Sequence, residues 1–324
     1  MSAITFRTIA PRERDAVLDL LRGWLNDREF FARYFRHDPT FRDDLCFVAA
    51  DGDRIVSTLQ VFTKHVRVDG TVLKVGGVGN VYTDPQHRRR GLAPELLRRA
   101  ITAMERQGFD LSLLFATRLE LYGALGWRSH VRHLSFIEPG AGALSGRYAI
   151  EPFDPARDLT AVMTLYDAHC ESVRGTTVRD GAYWSGQLQY AGNPHEDFLL
   201  ARAGAQVVAY ARGTSLYGFN VITEHAVLPA HAAALGDLIC RLHAASSLPG
   251  TLCQLACEKG LDGTLRKLGL GVQTVEDVFW MWRVLNPEQV AARLGISPQA
   301  TAAADFLPRL LPPDQSVYWL SDRF

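Results

Sequence analysis

Short runs of alternating hydrophobic and polar residues dominate the first 83 positions of the chain. Residues 4–9 alternate with the period of a strand, and later runs of the same kind flank the turn pairs Asp51-Gly52 and Asp69-Gly70. Two stretches between the first strand and these hairpins, 12–25 and 27–35, carry apolar residues at helical spacing. The pattern predicts two helices followed by a meander of antiparallel strands.

After residue 83 the hydrophobic period becomes that of a helix. Over 92–104 the apolar side chains fall on one face, and Gly108 follows as a helix stop. A short buried strand at 111–115, a short helix at 119–125 and a closing strand at 130–137 come next. We therefore predict one unit of the α+β class, closed by a Pro-Gly-Ala-Gly linker.

The second half of the chain repeats this order of elements with little sequence identity. The predicted elements are strands at 148–152, 198–211, 221–227, 251–257 and 278–284 and helices at 158–170, 232–245, 261–268 and 287–294. This predicts two tandem α+β domains, 1–139 and 146–285, each with a mixed, mostly antiparallel sheet flanked by helices. A C-terminal tail over 286–324 remains.

The composition limits the partners that the chain is expected to have. Its 324 residues suffice for two domains of about 150 residues. Lys and Arg number 35 and Asp and Glu also 35, and this balance argues against a nucleic-acid or membrane-surface binder. No apolar run is long enough for a transmembrane helix. We expect no nucleic acid and no membrane as partner.

The cysteines suggest a reducing compartment and no metal. There are five, an odd number, and the first 11 residues show no secretory pattern, so we predict reduced thiols and a cytoplasmic protein. Cys253-x-x-x-Cys257 has no second Cys/His pair to complete a tetrahedral site. We therefore interpret these two residues as core cysteines and predict no metal.

The segment with the clearest chemistry is Arg88-x-x-Gly91-x-Ala93, between a predicted strand and the long helix. The beginning of a helix offers free N–H groups and the positive end of the macrodipole, which together favour a phosphate. Gly91 and Ala93 leave room for an anion, and the run 88–90 adds arginines that can bind it with two hydrogen bonds. A solvated basic turn is the alternative.

This turn resembles the acyl-CoA pyrophosphate loop of the GNAT N-acetyltransferase superfamily, which reads Arg/Gln-x-x-Gly-x-Gly/Ala. A second segment, Leu121-Tyr122-Gly123-Ala124-Leu125-Gly126-Trp127, looks like the Tyr-x-x-x-Gly-Phe helix of the same superfamily. The resemblance implies the GNAT fold, acetyl-CoA as cosubstrate and no metal. It covers roughly 1–285, with specific motifs only between 78 and 127.

The run 87–92 and the tyrosine helix are similar to the enhanced intracellular survival (Eis) branch. Its members carry two tandem GNAT-type domains, of which the first is catalytic, and a sterol-carrier-like domain. By this resemblance the acetyl-CoA contacts are Val81, Tyr82 and Thr83 in the strand, Arg88, Arg89, Arg90, Gly91, Leu92, Ala93 and Pro94 in the loop, and Thr117 and Arg118 before the tyrosine helix. The branch usually has Ser-Glu at the last pair, so the chain departs from it there. Segment 227–234 has neither arginine nor glycine, and we infer a degenerate second unit.

Two residues are candidates for catalysis. In a GNAT site the strand ending at Thr83 polarises the thioester carbonyl through a backbone N–H, and both reactants are held in one ternary complex. Tyr122 is the candidate acid for the CoA thiolate, with a core aromatic as the alternative. In the Eis branch the carboxylate of a final Phe is the base, which here is Phe324. The tail is too short for a sterol-carrier-like domain, and a frayed terminus is the alternative.

We therefore predict an acetyl-CoA-dependent N-acetyltransferase whose acceptor is a primary amine of a small molecule or a lysine. The aromatic and acidic stretch 24–44 could form a pocket for a cationic amine, although aromatics at helical spacing are more often core. A mycothiol-synthase-like two-domain GNAT and a non-catalytic acyl-CoA sensor are the alternatives. The resembled family forms hexamers, which implies a homo-oligomer.

Overall fold

The computed structural model describes residues 3–190, 196–216 and 218–324 as two seven-stranded sheets flanked by helices. The helices are α1 (Arg14–Leu25), α2 (Arg28–His37), α3 (Leu92–Arg106), α4 (Leu119–Gly123), α5 (Pro155–Cys170), α6 (Gly181–Tyr190), α7 (Ala232–Ala245), α8 (Leu261–Lys267), α9 (Pro287–Leu294), α10 (Pro298–Thr301) and α11 (Phe306–Leu310). The strands are β1 (Ile4–Thr8), β2 (Cys46–Asp51), β3 (Arg54–Val68), β4 (Thr71–Thr83), β5 (Leu111–Phe115), β6 (Arg128–Ser129), β7 (Arg132–Ile137), β8 (Ala149–Pro152), β9 (Asp197–Ala203), β10 (Gln206–Leu216), β11 (Phe219–Val227), β12 (Thr251–Cys253), β13 (Val272–Asp277) and β14 (Trp280–Val284). Within these ranges no helix is both long enough and apolar enough to span a bilayer.

The first sheet has the order β1-β2-β3-β4-β5-β14-β6, and β4 and β5 form a parallel pair. The β3–β4 hairpin turns at Asp69 and Gly70, whose φ angles of 48° and 73° match the left-handed turn that suits twisted strands. α3 covers this sheet with the apolar face that its period predicted. The buried side chains on that face are Leu92, Leu96, Leu97, Ala100, Ile101 and Met104. We call this sheet with α1–α4 the first unit.

The second sheet, which with α5–α8 we call the second unit, repeats the arrangement. Its order is β13-β7-β12-β11-β10-β9-β8, with β11 and β12 as the parallel pair. In each unit a helix connects the two parallel strands, α3 between β4 and β5 and α7 between β11 and β12. The predicted fold, two tandem GNAT-type units with mixed and mostly antiparallel sheets, is confirmed.

The two sheets exchange strands at their edges, which the sequence did not predict. We expected 130–137 to close the first unit, but β7 lies between β13 and β12 in the second sheet. The first sheet is instead extended by β14, which pairs antiparallel with β5. The side chains of Trp280 and Trp282 become buried in this way, at 1% and 2% exposure, so the pairing protects both the edge and two large apolar surfaces. The domain limits 139 and 146 stay predictions.

The C-terminal tail lies between the two units. Of the apolar stretch that the sequence shows at 317–320, residues 317–319 precede a 3-10 turn that begins at Leu320, and their side chains alternate between two hydrophobic clusters. Val317 and Trp319 pack with the core of the second unit, whereas Tyr318 packs with β3, β4 and β14 of the first. Phe324 belongs to the same side as Tyr318. Because successive side chains of the tail pack into different units, the tail joins the two units.

Candidate active site

The first sheet opens between its parallel strands. β5 pairs with β4 only over residues 75–78, whereas β4 continues to Thr83. At Asn80 the backbone is left-handed, with φ 53°, and the register against β3 shifts. Asn80 Nδ2 donates to Gln60 Oε1 at 3.0 Å, which holds this bulge. Beyond the bulge β4 no longer faces β5, so its backbone groups on that side can bond an extended ligand.

The eight residues between β4 and α3 form a tight turn that leaves the helix N-terminus open. Arg89 and Gly91 both have left-handed backbones, with φ 61° and 73°, and Gly91 is the N-cap of α3. Such a backbone is uncommon for a residue with a side chain and concentrates at functional sites. A Cβ on Gly91 would meet no heavy atom within 4 Å. The space in front of the positive helix end is therefore free for an anion.

Three arginines surround this open space. Arg88, Arg89 and Arg90 are all exposed, and no carboxylate within the described ranges pairs with any of them. Arg88 Nε donates to the carbonyl of Thr83 at 3.1 Å, and its guanidinium lies 5.7 Å from the centre of the Tyr82 ring. The predicted loop residues thus supply uncompensated positive charge at the end of β4.

Asp84 fixes the beginning of the turn. Its carboxylate accepts from the Gln86 N–H at 2.8 Å and from Arg54 Nη2 at 2.6 Å, and His87 Nδ1 lies 3.5 Å away. Burial opposes the charged form, but these partners together lower the pKa of Asp84 below its ordinary value. The turn therefore keeps its shape at neutral pH, because the cap stays ionised.

Tyr122 lies on α4, half-buried against the hydrophobic cluster beneath α3 that Val81 also contacts. Its ring packs edge-on against Trp127, with centroids 6.2 Å apart. Trp127 Nε1 in turn donates to Ser112 Oγ at 3.3 Å, which ties the α4 segment to β5. Burial raises the pKa of Tyr122 to about 12, against the opposing charge of Arg118. The hydroxyl is therefore protonated at neutral pH and holds its proton more firmly than a free tyrosine does.

Thr117 and Arg118, the pair that departs from the resembled branch, follow β5 directly and are both exposed. Arg118 is the N-cap of α4 and makes no side-chain capping bond there. The structure places them at the end of the strand that separates from β4. They stand at the opening, but no contact assigns them a role.

The ring of Phe324 lies on β4, immediately before the bulge. It stacks on Phe62, with centroids 5.4 Å apart, and a Cβ on Gly77 would come within 2.3 Å of it. The backbone carbonyl carbon of Phe324 lies 3.2 Å from the position of a Cβ on Gly79. Two glycines in β4 thus make room for the end of the tail, beside the strand segment that precedes Thr83.

Aromatic side chains from both units surround Phe324. Of the predicted stretch 24–44, Phe31 and Phe35 lie in the core, whereas Phe30 and Tyr34 pack toward the tail. The Tyr34 hydroxyl donates to the carbonyl of Arg323 at 3.3 Å. Tyr190, from α6, packs 4.7 Å from Tyr34 and was not singled out by the sequence.

The residues that anchor the tail were also missed. Arg179 Nη2 binds Asp322 at 2.8 Å and Glu224 at 2.6 Å, and all three side chains are fully buried. Tyr183 donates to the Asp322 carboxylate at 3.0 Å and accepts from Lys64 Nζ at 2.6 Å. Burial lowers the pKa of Lys64. No local pattern in the sequence marks this network, because Lys64, Arg179, Glu224 and Asp322 stand far apart in the chain.

In the second unit β11 also continues past its parallel partner, from the pairing at 220–221 to Val227, but within the described residues the matching position is filled. Four residues separate β11 from α7, half the length of the loop in the first unit. Where β11 ends, His169 Nδ1 lies 3.3 Å from the carbonyl oxygen and 3.4 Å from the nitrogen of Val227. A side chain of this unit therefore occupies the backbone groups that the first unit leaves open.

Residues 5–129 match the sequence model of the Acetyltransferase (GNAT) domain, which includes the opening, the basic loop and Tyr122. Over this range, 125 of its 324 residues, the chain is similar to a GNAT acetyltransferase domain. Domains of this family depend on an acyl-CoA. The family match therefore falls on the unit that carries the arginine loop, as the two motifs predicted.

Known proteins resemble the chain over most of its length. It is 26% identical over 265 residues to an uncharacterized N-acetyltransferase of Streptomyces griseus, a match that covers 75% of this chain and 62% of the relative. The chain thus spans less than two thirds of that relative. A GCN5-related N-acetyltransferase from Kribbella flavida matches with a TM-score of 0.66 at 18% identity, covering 90% of this chain and 73% of that one. Eis1 from Mycobacterium abscessus matches with a TM-score of 0.58 at 15% identity, covering 90% and 76%. At these identities the structures show the shared fold.

Proposed function

We propose that the chain is an N-acetyltransferase that moves an acetyl group from acetyl-CoA to a primary amine of a small molecule or a lysine, by direct transfer in a ternary complex. The observation that carries this proposal is the opening beyond the β4 bulge, which leads to three unpaired arginines at the free N-terminus of α3. Arg88 to Arg90 and the first turn of α3 would bind the pyrophosphate of acetyl-CoA. The N–H groups of 81–83 would bond the pantetheine arm and polarise the thioester carbonyl.

The transfer itself needs two proton movements. As the amine nitrogen bonds to the carbonyl carbon, the carbon–sulfur bond breaks and the thiolate takes a proton from the Tyr122 hydroxyl. The amine loses its proton to a base, for which we propose the carboxylate of Phe324. This group lies on β4 one residue before the bulge, and the buried Arg179–Asp322 pair holds the segment that carries it. The aromatic rings around Phe324 would receive a cationic amine.

The cosubstrate site is tested by the double variant Arg89→Ala/Arg90→Ala, with Arg106→Ala as the control. Arg106 is an exposed arginine at the other end of the same helix. Each charge-assisted bond lost is worth about 1.5 kcal/mol or more, so the Kd for acetyl-CoA should rise at least about tenfold in the double variant and stay unchanged in the control. Calorimetry measures the Kd. Equal affinity in both variants would contradict the site.

The activity is tested by following CoA release over a panel of primary amines. Turnover with at least one amine is expected, whereas acetyl-CoA binding without turnover on any of them would favour a sensor. The base is tested by adding one alanine after Phe324, which keeps the ring but moves the carboxylate. We expect kcat to fall with an unchanged Kd for acetyl-CoA, and an unchanged kcat would exclude this carboxylate.

A further inference from the structure

Three side chains with metal-binding atoms meet in the second unit, away from the acetyltransferase loop. His169 comes from α5, His225 from β11 and Glu258 from the segment after β12. Their ligand atoms all lie within 4.8 Å of one another. Both imidazoles direct Nε2 toward the same carboxylate oxygen, Oε1 of Glu258, at 3.2 Å each.

These separations are those of a coordination shell. Zinc bonds to imidazole nitrogen and carboxylate oxygen are about 2.0–2.2 Å long, so two ligand atoms of a tetrahedral ion are roughly 3.3–3.5 Å apart. The two distances of 3.2 Å to Glu258 Oε1 are close to that edge. Two histidines and one glutamate are a set that zinc uses in proteins, with water as the fourth ligand. The two imidazole nitrogens lie within 4.8 Å of each other, so an ion bound by all three atoms would draw the rings together to that same edge.

The charges at the cluster favour a cation. Glu258 is mostly buried, with a side chain 16% exposed, and its two nearest partners are the imidazoles. His225 is 1% exposed, so its ring is held away from bulk water. An imidazole with its proton on Nε2 can donate a hydrogen bond to this carboxylate, and a divalent ion would replace these bonds with a full opposite charge.

The outer contacts fix the rings in the orientation that a ligand needs. His169 Nδ1 lies 3.3 Å from the carbonyl oxygen and 3.4 Å from the nitrogen of Val227, so the ring is held in either tautomer, and the one with its proton on Nδ1 has Nε2 free to bind an ion. Trp319 of the tail packs on both rings, with centroids 4.7 Å from His225 and 6.4 Å from His169. The cluster thus lies under the same tail that carries Phe324.

A cavity gives access to the cluster. It has a volume of about 290 Å³, and Glu258 is part of its wall together with Ser135, Lys259 and Asp262. This space can admit a hydrated ion and leave a water molecule as the fourth ligand. Lys259 opposes a cation there, and Asp262 favours one.

We propose that His169, His225 and Glu258 bind one Zn²⁺ ion, which fastens α5, β11 and the segment after β12 beneath Trp319. The sequence predicted no metal, because Cys253-x-x-x-Cys257 lacks a second Cys/His pair and the three residues of this cluster were not singled out as ligands. His225 and Glu258 are 33 positions apart. The site is independent of the proposed acetyltransferase activity, and its role is to stabilise the second unit and the tail.

The test uses the full chain without a histidine tag, stripped with a chelator and titrated with Zn²⁺ against a chromophoric competitor. We expect one equivalent to bind with a Kd below about 1 μM and to raise Tm. Cobalt in place of zinc should give the intense visible absorption of a tetrahedral ion. His169→Gln, His225→Gln and Glu258→Gln should each weaken binding at least about tenfold.

The matched control is His133→Gln, an exposed histidine on the wall of the same cavity, which should bind zinc as the unmodified chain does. Circular dichroism without metal shows whether each variant folds. The rise in Tm that zinc causes in the unmodified chain tests the site even if a variant does not fold. No stoichiometric binding, no rise in Tm, or equal affinity in the three variants and the control would each overturn the proposal and leave a hydrogen-bonded His–Glu–His cluster.

Discussion

The two units share a topology but use their positive charges in opposite ways. In the first, Arg88, Arg89 and Arg90 are exposed and have no acidic partner within the described ranges. In the second, Arg179 and Arg212 are fully buried and bind carboxylates. An exposed, unpaired arginine is available to a ligand, whereas a buried, paired one can only hold structure. The same fold thus forms a binding site in the first unit and an anchor for the tail in the second.

The tyrosine helix α4 and its counterpart α8 in the second unit also share a backbone but differ in a functional side chain. α4 and α8 are each followed, within three residues, by a glycine with φ 93°, Gly126 and Gly269. In both, the residue after that glycine donates its N–H to a carbonyl five positions earlier, at 3.2 Å to Tyr122 and 3.0 Å to Leu265. The backbone is conserved between the units, but leucine replaces the hydroxyl. The second unit therefore lacks the proton donor as well as the arginines.

The largest expected effect tests this difference at the donor. Tyr122→Phe should lower kcat by about 10²–10⁴, with an unchanged Kd for acetyl-CoA, because only the proton to the thiolate is lost. Tyr148→Phe, a half-buried tyrosine of the second unit, is the control and should keep full kcat. Steady-state kinetics and calorimetry measure the two quantities. A kcat within twofold of the original would remove Tyr122 from the mechanism.

The next effect tests the buried charges. Arg179→Met leaves Glu224 and Asp322 without their cation, and the free energy of unfolding should fall by about 3–5 kcal/mol. Arg106→Met, an exposed arginine of the first unit, should stay within about 0.5 kcal/mol. Urea unfolding at pH 7 measures both. Equal stability of the two variants would show that the buried network does not anchor the tail.

The change in the free energy of unfolding at acid pH gives a second test of the buried charges. Although burial opposes its charge, Arg179 and Arg212 lower the pKa of Glu224 to about 2, from 4.5. A lowered pKa stabilises the fold above pH 4.5, and that contribution is lost as the pH falls from 4.5 toward 2. Arg179→Met should therefore lose less stability over this pH interval than the unmodified chain does.

The smallest effect tests the shape of the loop. Gly91→Ala and Gly52→Ala both place a side chain on a left-handed backbone with open space around it, at φ 73° and 60°. Each should cost about 1 kcal/mol of stability. Only Gly91→Ala should also weaken acetyl-CoA binding, by several-fold, because Gly91 caps α3. Equal acetyl-CoA affinity in the two variants would show that the pyrophosphate does not approach this helix end.

Elements with a clear period were predicted well, and those without one were missed. The sequence placed α7 at 232–245, and the structure has it at Ala232–Ala245. α6 was absent from the prediction, because Tyr183, Gln187 and Tyr190 share its buried face at i, i+4 and i+7, and a face made of tyrosines and a glutamine gives no apolar stripe. A Cβ built on Gly186 would lie 2.1 Å from the carbonyl oxygen of His37, so α6 approaches that backbone too closely for any side chain at this position. Such a helix is defined by its neighbours and not by a pattern of its own.

What the sequence by itself determined is local: the meander, the helical face of α3, the basic loop and the tyrosine helix. Each is encoded within about two turns or one hairpin, where spacing alone places the side chains. The tertiary structure decided the rest. It exchanged β7 and β14, brought Phe324 to β4, and joined His169, His225 and Glu258. These contacts connect residues far apart in the chain, and they form because burying large apolar faces and paired charges brings the segments together, which no local spacing records.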